Sequence, residues 1–376
     1  MRFMRVVGLI LSGSTKDNLD KLTLKRTSAA VPVFGKYRAI DFTLSNMVNS
    51  GITNVGVFTQ YNPRSLMDHL GSGKEWNLDR KRGGLFILQP FISPQSHKMY
   101  YEGTADAIFQ NLTFLRRSYE DFVLIGSGDH IYNIDFRPLF KYHVKNGADI
   151  TLLTKTVEEG VNFSQYGQVI TDENNRITQI YEKDSQYRSD KIFLGVYFIN
   201  KAFLMEILYA NVSNGKFDLL KDIIIPNLSR MRVFSYDFDG YWKNIKKSVE
   251  DYYNINMDIL KEEVRNELFY SPERKIYTKL KDSVPPKINV NAEVSNSFIS
   301  DGCIINGVVR NSVLSRDVYV GAGSVIENCI VLQGSYLEEG SVIRKTIIDK
   351  NVRIRSGRKL EGIGNEINVI EKGAVL

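Results

Sequence analysis

Cysteine and long apolar runs are scarce in this chain of 376 residues. Its two cysteines, Cys303 and Cys329, cannot build a disulfide framework or a thiolate zinc site. The longest apolar stretch near the start, Val6–Leu11, is far shorter than the roughly 20 residues that span a bilayer. It contains Gly8, has no small-residue cleavage site behind it and is soon followed by Lys16, so a signal peptide is not expected. The sequence therefore predicts a cytoplasmic protein without a membrane partner.

Charge of one sign is not abundant either. The 49 basic and 43 acidic side chains leave a net charge of +6, which fits phosphorylated small-molecule ligands and gives little support for a nucleic-acid partner. Basic residues concentrate only at 344–359, where Asp349 is the single acid. This run is either a solvated coil edge or an anion site. As an anion or effector site it would use Arg344, Arg353, Arg355 and Arg358.

The first 250 residues alternate between two periodicities. Continuous apolar runs predict buried strands at 5–12, 54–60, 121–126, 149–156 and 191–199. Amphipathic stretches predict helices at 41–49, 105–117 and 201–209. Such alternation is typical of a Rossmann-like α/β domain with a mainly parallel sheet. Ligands of such sheets bind beyond the carboxyl ends of the strands, so the loops after Leu11, Gln60 and Gly126 should form the site.

A different pattern follows a helical stretch at 249–264 and a proline-containing linker at 271–286. Aliphatic residues then recur every sixth position at Val308, Leu314, Val320, Ile326 and Leu332, after a one-residue slip at Leu337 and Ile343, and then at Ile348 and Ile354. This period indicates a parallel β-helix of stacked six-residue faces. We predict three parts: an α/β domain at 1–250, a helical segment and linker at 251–286, and a β-helix at 287–376.

The β-helix is not expected to be an acyltransferase, because that chemistry needs a histidine base and no histidine lies beyond residue 143. Its coils should instead pack against the first domain or a neighbouring subunit. Cys303 and Cys329 fall inside the coils and are expected to be small buried fillers rather than reactive thiols.

Residues 25–51 carry the sequence KRTSAAVPVFGKYRAIDFTLSNMVNSG. This resembles the pattern K-R-A-K-P-A-V-P-x-G-G-K-Y-R-x-I-D-x-x-L-S-N-x-x-N-S-G of the glucose-1-phosphate adenylyltransferases, or ADP-glucose pyrophosphorylases. Further blocks resemble the family in the same order at 59–61, 102–107, 128–132, 181–183, 221–223 and 240–242. The resemblance covers nearly the whole chain. It implies a nucleotidyltransferase-like domain followed by a left-handed β-helix, assembled into tetramers.

In this family glucose 1-phosphate attacks the α-phosphate of ATP, and pyrophosphate leaves. The attacking phosphate is already anionic, so the rate depends on positioning and on neutralising crowded negative charge. The resemblance implies three devices for this: a glycine-rich loop whose backbone and arginine bind the β- and γ-phosphates, two carboxylates that hold Mg²⁺, and a lysine that binds the sugar phosphate.

The phosphate loop departs from the family pattern. The pattern L-A-G-G-x-G-T-R-L aligns with LSGSTKDNL here, so that only Gly13 remains as a loop glycine. Ser14 and Lys16 replace glycines, and a Cβ obstructs the close backbone approach that a phosphate cradle uses. Asp17 adds negative charge, and Asn18 replaces the catalytic arginine. Loss of one preorganised donor typically costs about two to three orders of magnitude in rate, so no catalytic residue is assigned.

The metal site departs from the pattern as well. Asp129 matches the first metal-binding aspartate. The second belongs to G-Y-W-x-D-V-G-T, which is GYWKNIKK at 240–247, so that Asn244 stands in its place. An asparagine offers a carbonyl oxygen without charge, whereas Mg²⁺ is usually held by one or two carboxylates. The sequence predicts weak Mg²⁺ binding at Asp129 at most, and no cofactor unless residual activity exists.

Other pocket positions retain the family's residues. A predicted nucleotide or sugar-phosphate remnant consists of Gln60, Gly103, Thr104, Asp129 and Lys183. Each has a structural alternative: Asp129 could cap the following turn, Lys183 could pair with Glu182, and Thr104 could be a helix N-cap.

Selective loss of the phosphate loop and second metal ligand predicts a regulatory, catalytically inactive subunit in bacterial glycogen biosynthesis. It resembles the non-catalytic subunit of bacterial heteromeric enzymes, and its expected partners are a catalytic paralogue, in a heterotetramer, and phosphorylated effectors. Two alternatives stay open. One is a weakly active adenylyltransferase that uses Asp129 and Lys183 with Lys16 and Lys21 as replacement cations; the other is a stand-alone sensor of phosphorylated metabolites.

Overall fold

The first part of the chain is an α/β domain. The computed structural model describes residues 5–13, 18–91, 100–157, 163–362 and 366–376. The strands of this domain are β1 (Val6–Leu11), β2 (Pro32–Val33), β3 (Tyr37–Arg38), β4 (Asn54–Phe58), β5 (Gly84–Leu88), β6 (Phe122–Ser127), β7 (His130–Tyr132), β8 (Ile150–Thr156), β9 (Gly167–Thr171), β10 (Ile177–Glu182), β11 (Lys191–Asn200), β12 (Val233–Asp237) and β13 (Trp242–Asn244). The helices are α1 (Ala39–Asn49), α2 (Arg64–Leu70), α3 (Thr104–Gln110), α4 (Leu112–Arg117), α5 (Arg137–Lys145), α6 (Lys201–Val212), α7 (Val249–Asp258) and α8 (Glu262–Phe269), with a π-helical turn at Leu219–Ile224.

The main sheet is parallel at its centre, in the order β6-β1-β4-β5. It continues through β11, which pairs antiparallel with β6, β8 and β9. β1 is buried on both faces, as the continuous apolar sequence VVGLIL predicts. All five predicted strands form, with ends that differ by at most two residues from the predicted ones.

Two predicted helices are each split in two. The stretch at 105–117 divides into α3 and α4 at Asn111, which leaves helical geometry at φ −106° and donates from its side-chain amide to the carbonyl of Ala107 at 3.0 Å. Asparagine competes in this way for helix backbone groups. The stretch at 249–264 divides at Lys261, whose backbone is extended. Among the described residues no helix is long and apolar enough to cross a membrane.

The rest of the chain is a left-handed β-helix of three parallel sheets. Its strands are β14 (Lys287–Ile288), β15 (Glu293–Ser295), β16 (Phe298–Ile299), β17 (Ile304–Ile305), β18 (Val308–Arg310), β19 (Val313–Leu314), β20 (Tyr319–Val320), β21 (Val325–Glu327), β22 (Ile330–Val331), β23 (Tyr336–Leu337), β24 (Val342–Arg344), β25 (Thr346–Ile348), β26 (Arg353–Ile354), β27 (Lys359–Glu361) and β28 (Asn368–Ile370). The sheets are β14-β17-β20-β23-β26, β15-β18-β21-β24-β27 and β16-β19-β22-β25-β28.

The one-residue slip in the predicted period recurs in several coils. Tyr319 pairs with Tyr336, and Tyr336 with Arg353, a repeat of 17 residues. One side of these coils therefore has five residues instead of six, whereas Ile305 pairs with Val320 after only 15 residues. The inward positions accordingly include Val309 and Val331, rather than the predicted Val308 and Leu332.

The outer face of the third sheet packs against the first domain. Val313, Ile330 and Ile347 of this sheet lie in one buried cluster with Phe34 and with Ile255 of α7. The expectation that the coils pack against the first domain is therefore confirmed. Both cysteines are buried and free, as expected of fillers.

Candidate functional site

A cavity of about 530 Å³ lies at the carboxyl ends of β1, β4 and β6, where the strand pattern predicts a ligand site. Its walls contain the whole predicted remnant and one of the altered positions, namely Gln60, Gly103, Thr104, Asp129, Lys183 and Asn244. The structure thus brings together residues that are widely separated in sequence.

The carboxylate of Asp129 is buried and engaged on both oxygens. Oδ1 accepts a hydrogen bond from the Ser127 hydroxyl at 2.5 Å, and Oδ2 accepts one from the Ser28 hydroxyl at 3.3 Å. The Lys246 ammonium lies 3.0 Å from Oδ2, and Nε2 of His130 lies 3.6 Å from Oδ1. Burial raises the pKa of Asp129, but the charge of Lys246 and the hydrogen bonds outweigh burial and hold that pKa at about 2. Asp129 is therefore an ionised partner of Lys246.

His130 packs tightly beside this pair. Burial lowers the pKa of His130 to about 4, so its imidazole is neutral at pH 7. The ring meets Trp242 edge-on, with centroids 5.0 Å apart. Gly195, at φ +71°, faces the ring so closely that a Cβ there would lie 2.8 Å from Cε1 of His130. Glycine is required at this position by both backbone conformation and space.

The two altered positions that the structure describes are tied to one turn, at 244–247. Oδ1 of Asn244 accepts the backbone N–H of Lys246 at 3.0 Å. The backbone N–H of Asn18 donates to the carbonyl of Lys246 at 3.0 Å, and its side-chain amide donates to the carbonyl of Lys247 at 2.9 Å. Asn18 and Asn244 therefore hold the turn that carries Lys246.

The predictions for Ser14, Lys16 and Asp17 lie outside the described residues. Lys21, the other lysine proposed as a replacement cation, points elsewhere: its ammonium donates to the carbonyl of Val369 in β28 at 3.2 Å. This contact places Lys21 against the β-helix and away from the cavity.

The ammonium of Lys247 contacts the face of an aromatic ring. Its ammonium lies 3.5 Å from the centroid of Tyr166, a cation–π contact, and burial lowers its pKa to about 8. The adjacent lysines of the turn thus have different partners, Asp129 for Lys246 and Tyr166 for Lys247.

The retained nucleotide-side positions bond within the protein. The side-chain oxygen of Gln60 accepts the backbone N–H of Tyr101. The helix α3 has Gly103 as its N-cap, so Thr104 is the first helical residue and the N-cap alternative for it is wrong. The Thr104 hydroxyl instead accepts the backbone N–H of Leu219 at 2.9 Å. These hydrogen bonds connect chain segments that wall the cavity.

Lys183 and Glu182 also line this cavity. The ammonium of Lys183 is 3.6 Å from Oε1 of Glu182, which bears out the pairing alternative, although the lysine side chain is 67% exposed. Burial, followed by the charge of Asp218, raises the pKa of Glu182. Oε2 of Glu182 is buried and has no hydrogen-bond partner among the described residues.

Sequence reasoning did not identify Lys246 as a site residue. The available signal was the run of lysines around Asn244, at 243, 246 and 247, but a charge run alone does not show which lysine turns inward. Lys243 is exposed, whereas Lys246 lines the cavity.

The residues present do not fit the divalent cation that the family pattern implies. Both oxygens of Asp129 have protein partners, and the amide oxygen of Asn244 is used by a backbone N–H. Within the described ranges there is no group of three or more His, Cys, Asp or Glu side chains that could hold a metal ion. Mg²⁺ needs free oxygen ligands, preferably charged.

A second, smaller cavity of about 210 Å³ lies in a cleft between the first domain and the β-helix. We call it the basic cleft, because its walls carry the basic side chains Lys36, Arg38, Lys279, Lys281, Arg316 and Lys350. Arg316 Nε and Ser315 Oγ are buried without hydrogen-bond partners among the described residues. Burial and the nearby charges of Arg38 and Arg26 lower the pKa of Lys350 to about 7. The basic cleft combines unpartnered donors with concentrated positive charge.

The four arginines predicted as an anion site are not brought together in one place. Arg344 lies on β24, in a different sheet from Arg353 on β26. Arg344 pairs with Glu327 at 3.2 Å, Arg353 pairs with Glu338 at 2.7 Å, and Arg355 and Arg358 are exposed. The geometry therefore fits the solvated-edge alternative for this run, of which Lys350 alone lines the basic cleft.

Comparison with known proteins matches both parts of the chain. Residues 7–262 match the nucleotidyl transferase family, and residues 284–368 match the GlmU-like C-terminal hexapeptide family. The chain is 41% identical over 373 residues to a glucose-1-phosphate adenylyltransferase of Halalkalibacterium halodurans, covering 98% of this chain and 96% of that protein. Proteins with the same name from Fervidobacterium nodosum and Thermosipho africanus are 37% and 40% identical, covering 96% and 86% of this chain and 86% and 78% of their own lengths. With this similarity along both domains, the chain belongs to the glucose-1-phosphate adenylyltransferase family.

Proposed function

We propose that this chain is a regulatory, non-catalytic subunit of ADP-glucose pyrophosphorylase, acting in glycogen biosynthesis in complex with a catalytic paralogue. The observation that carries the proposal is the ion pair of Lys246 with Asp129. It occupies the carboxylate that the reaction would need for a metal, in a cavity whose framework is otherwise intact. Asn18, at the position of the arginine in the family pattern, has no positive charge to offer a departing pyrophosphate.

The test uses the purified full-length chain and a purified paralogue that carries the intact glycine-rich loop. The chain alone should make no ADP-glucose from ATP, glucose 1-phosphate and Mg²⁺. Mixed with the paralogue it should form a complex, measured by light scattering after gel filtration, and change the paralogue's turnover or effector response.

Two outcomes would contradict the proposal. Turnover by the chain alone near the usual enzyme median of about 10 per second would overturn the non-catalytic role. Absence of any complex and of any change in the paralogue's kinetics would remove the regulatory role.

We also propose that phosphorylated effectors bind in the basic cleft. The support is the set of six basic side chains between the two domains and the buried, unpartnered donors of Ser315 and Arg316. An anion there would pair these donors and would favour the charged form of Lys350.

Calorimetry of the isolated chain with inorganic phosphate and glucose 1-phosphate tests this site. Arg316→Ala should weaken binding by at least about tenfold, since a charge-assisted hydrogen bond contributes ~1.5–3 kcal/mol. Arg344→Ala is the matched control, because its guanidinium lies on the solvent face of β24 and should leave binding unchanged. Equal losses in the two variants, or no heat with either ligand, would contradict the assignment.

A further inference from the structure

The turn at 244–247 presents a cation to Asp129 from within the chain. Lys246 Nζ lies 3.0 Å from Oδ2 of Asp129, and both side chains are largely enclosed, at 28% and 5% exposure. Lys243 on the same segment is exposed. The inward orientation therefore belongs to Lys246 specifically.

The turn is fixed from two sides. Asn244 accepts the backbone N–H of Lys246, and Asn18 donates to the carbonyls of Lys246 and Lys247. These bonds hold the lysine backbone beside the end of the loop after β1. The ammonium is thus presented by a restrained turn, which lowers the conformational entropy lost when the ion pair forms.

Charge balance at the site is complete without a further ion. One carboxylate, Asp129, faces one ammonium, Lys246, while the side chain of Asn244 is neutral. A divalent ion would have to displace the Ser127 and Lys246 contacts and would then lie beside an unneutralised ammonium. Both effects oppose metal binding.

We propose that Lys246 is a tethered replacement for the divalent cation, so that Asp129 is closed to Mg²⁺ and the cavity keeps its structure without any metal. This inference goes beyond the proposed function, because it concerns one ion pair and needs no partner subunit. A carboxylate returned at position 244 therefore does not recreate a metal site while Lys246 is present.

Mn²⁺ is the probe, because its paramagnetism reports binding through water-proton relaxation without any activity assay. The wild-type chain and Asp129→Asn should give the same relaxation, since no Mn²⁺ binds at Asp129. Asn244→Asp alone should also resemble wild type. The double variant Asn244→Asp with Lys246→Ala should bind Mn²⁺ at least about tenfold more tightly, because a free pair of carboxylates replaces an ion pair.

The matched control is Asn244→Asp with Lys243→Ala, which removes an exposed lysine from the same segment and should not gain Mn²⁺ binding. Wild-type Mn²⁺ binding that Asp129→Asn abolishes would overturn the proposal. So would Asn244→Asp alone binding as tightly as the double variant, or a folded double variant that gains nothing.

A second measurement covers the case in which the double variant does not fold. Lys246→Met should lower the thermal midpoint, because it leaves Asp129 buried without its cation, and adding Asp129→Asn should recover part of that loss. Saturating Mg²⁺ should not raise the wild-type midpoint, since a ligand that binds the folded state would do so. A rise with Mg²⁺ in the wild type that is absent in Asp129→Asn would overturn the proposal independently of the restored variants.

Discussion

The ammonium of Lys246 contacts the carboxylate of Asp129 in the cavity, and we propose that this contact replaces the one that a metal ion would make. A lysine brings a single charge at 3.0 Å and no vacant coordination position, so it can neutralise Asp129 without activating a phosphate. Mg²⁺ in phosphoryl-transfer sites does the reverse, since it keeps positions open for substrate oxygens. At the scale of single residues, the proposed replacement of a metal by a lysine would neutralise Asp129 without supplying the chemistry of a metal.

His143 provides a test of acid sensitivity. Its ring is buried beside Phe122 and Phe198, and burial lowers its pKa from 6.5 to about 4; Asp149 raises this pKa by a smaller amount and Arg232 lowers it. As the pH falls, His143 is therefore protonated near pH 6.5 in the unfolded chain, whereas in the folded protein it stays neutral until about pH 4. The stability contributed by the neutral ring is complete above pH 6.5 and is lost as the pH falls, by about 1.4 kcal/mol per unit.

Urea unfolding at a series of pH values measures this effect. His143→Gln retains a group that can bond the Thr151 hydroxyl, now 2.8 Å from Nδ1, and should flatten the dependence between pH 6.5 and 4. An unchanged slope in the variant would show that other groups cause the acid sensitivity.

The β-helix shows how one element can be stabilised at its corners. Asn311 and Asn328 lie 17 residues apart, in the left-handed region at φ +47° and +53°, and their side chains bond at 2.8 Å. Lys345 occupies the next equivalent corner at φ +44°. Asparagine tolerates this conformation better than lysine.

Lys345→Asn should therefore stabilise the β-helix by about 0.5–1 kcal/mol, by relieving the backbone and extending the asparagine ladder. Thermal unfolding of the variant against wild type measures the gain. Lys359→Asn, on the exposed face of β27, is the control and should change little. A loss of stability in Lys345→Asn would contradict this account of the corner.

Burial of Cys303 and Cys329 inside these coils predicts that both thiols are unreactive in the folded protein. Burial raises the pKa of Cys303 to about 11 and that of Cys329 to about 12. Neither thiol should react with an aromatic disulfide reagent at pH 8 in the folded protein, and both should react in denaturant. Rapid labelling of either cysteine in the native state would mean that the coils open locally.

At the scale of the whole molecule, a buried ion pair joins the two domains. Arg26 from the segment before β2 pairs with Asp349 of the β-helix, at 4% and 1% exposure. Their attraction acts in the protein interior, and removal of one partner leaves the other charge buried.

Arg26→Ala should lower the free energy of unfolding by about 3–5 kcal/mol, as measured in urea. Arg310→Ala removes an exposed pair with Glu293 and should cost less than about 1 kcal/mol. The double variant Arg26→Met with Asp349→Asn should recover part of the loss. Similar small effects in all three would show that the domains are joined mainly by the apolar cluster around Phe34 and Ile255.

Local patterns in the sequence determined much of this architecture. Apolar runs bounded by loops predicted the strands around the cavity, and the near-sixfold period predicted the β-helix, because each depends on residues close together in the chain. The altered positions at Asn18 and Asn244 could be recognised in the same way, by alignment with the family's motifs.

Only the tertiary structure decided which of these residues meet. The partnership of Lys246 with Asp129 joins positions more than a hundred residues apart, and the basic cleft gathers residues from near 36, 280, 316 and 350. A charge run such as 344–359 looks like an anion site in sequence, yet coiling of the chain places Arg344 and Arg353 in different sheets. Contacts of this kind arise from chain topology, and periodicity carries no information about them.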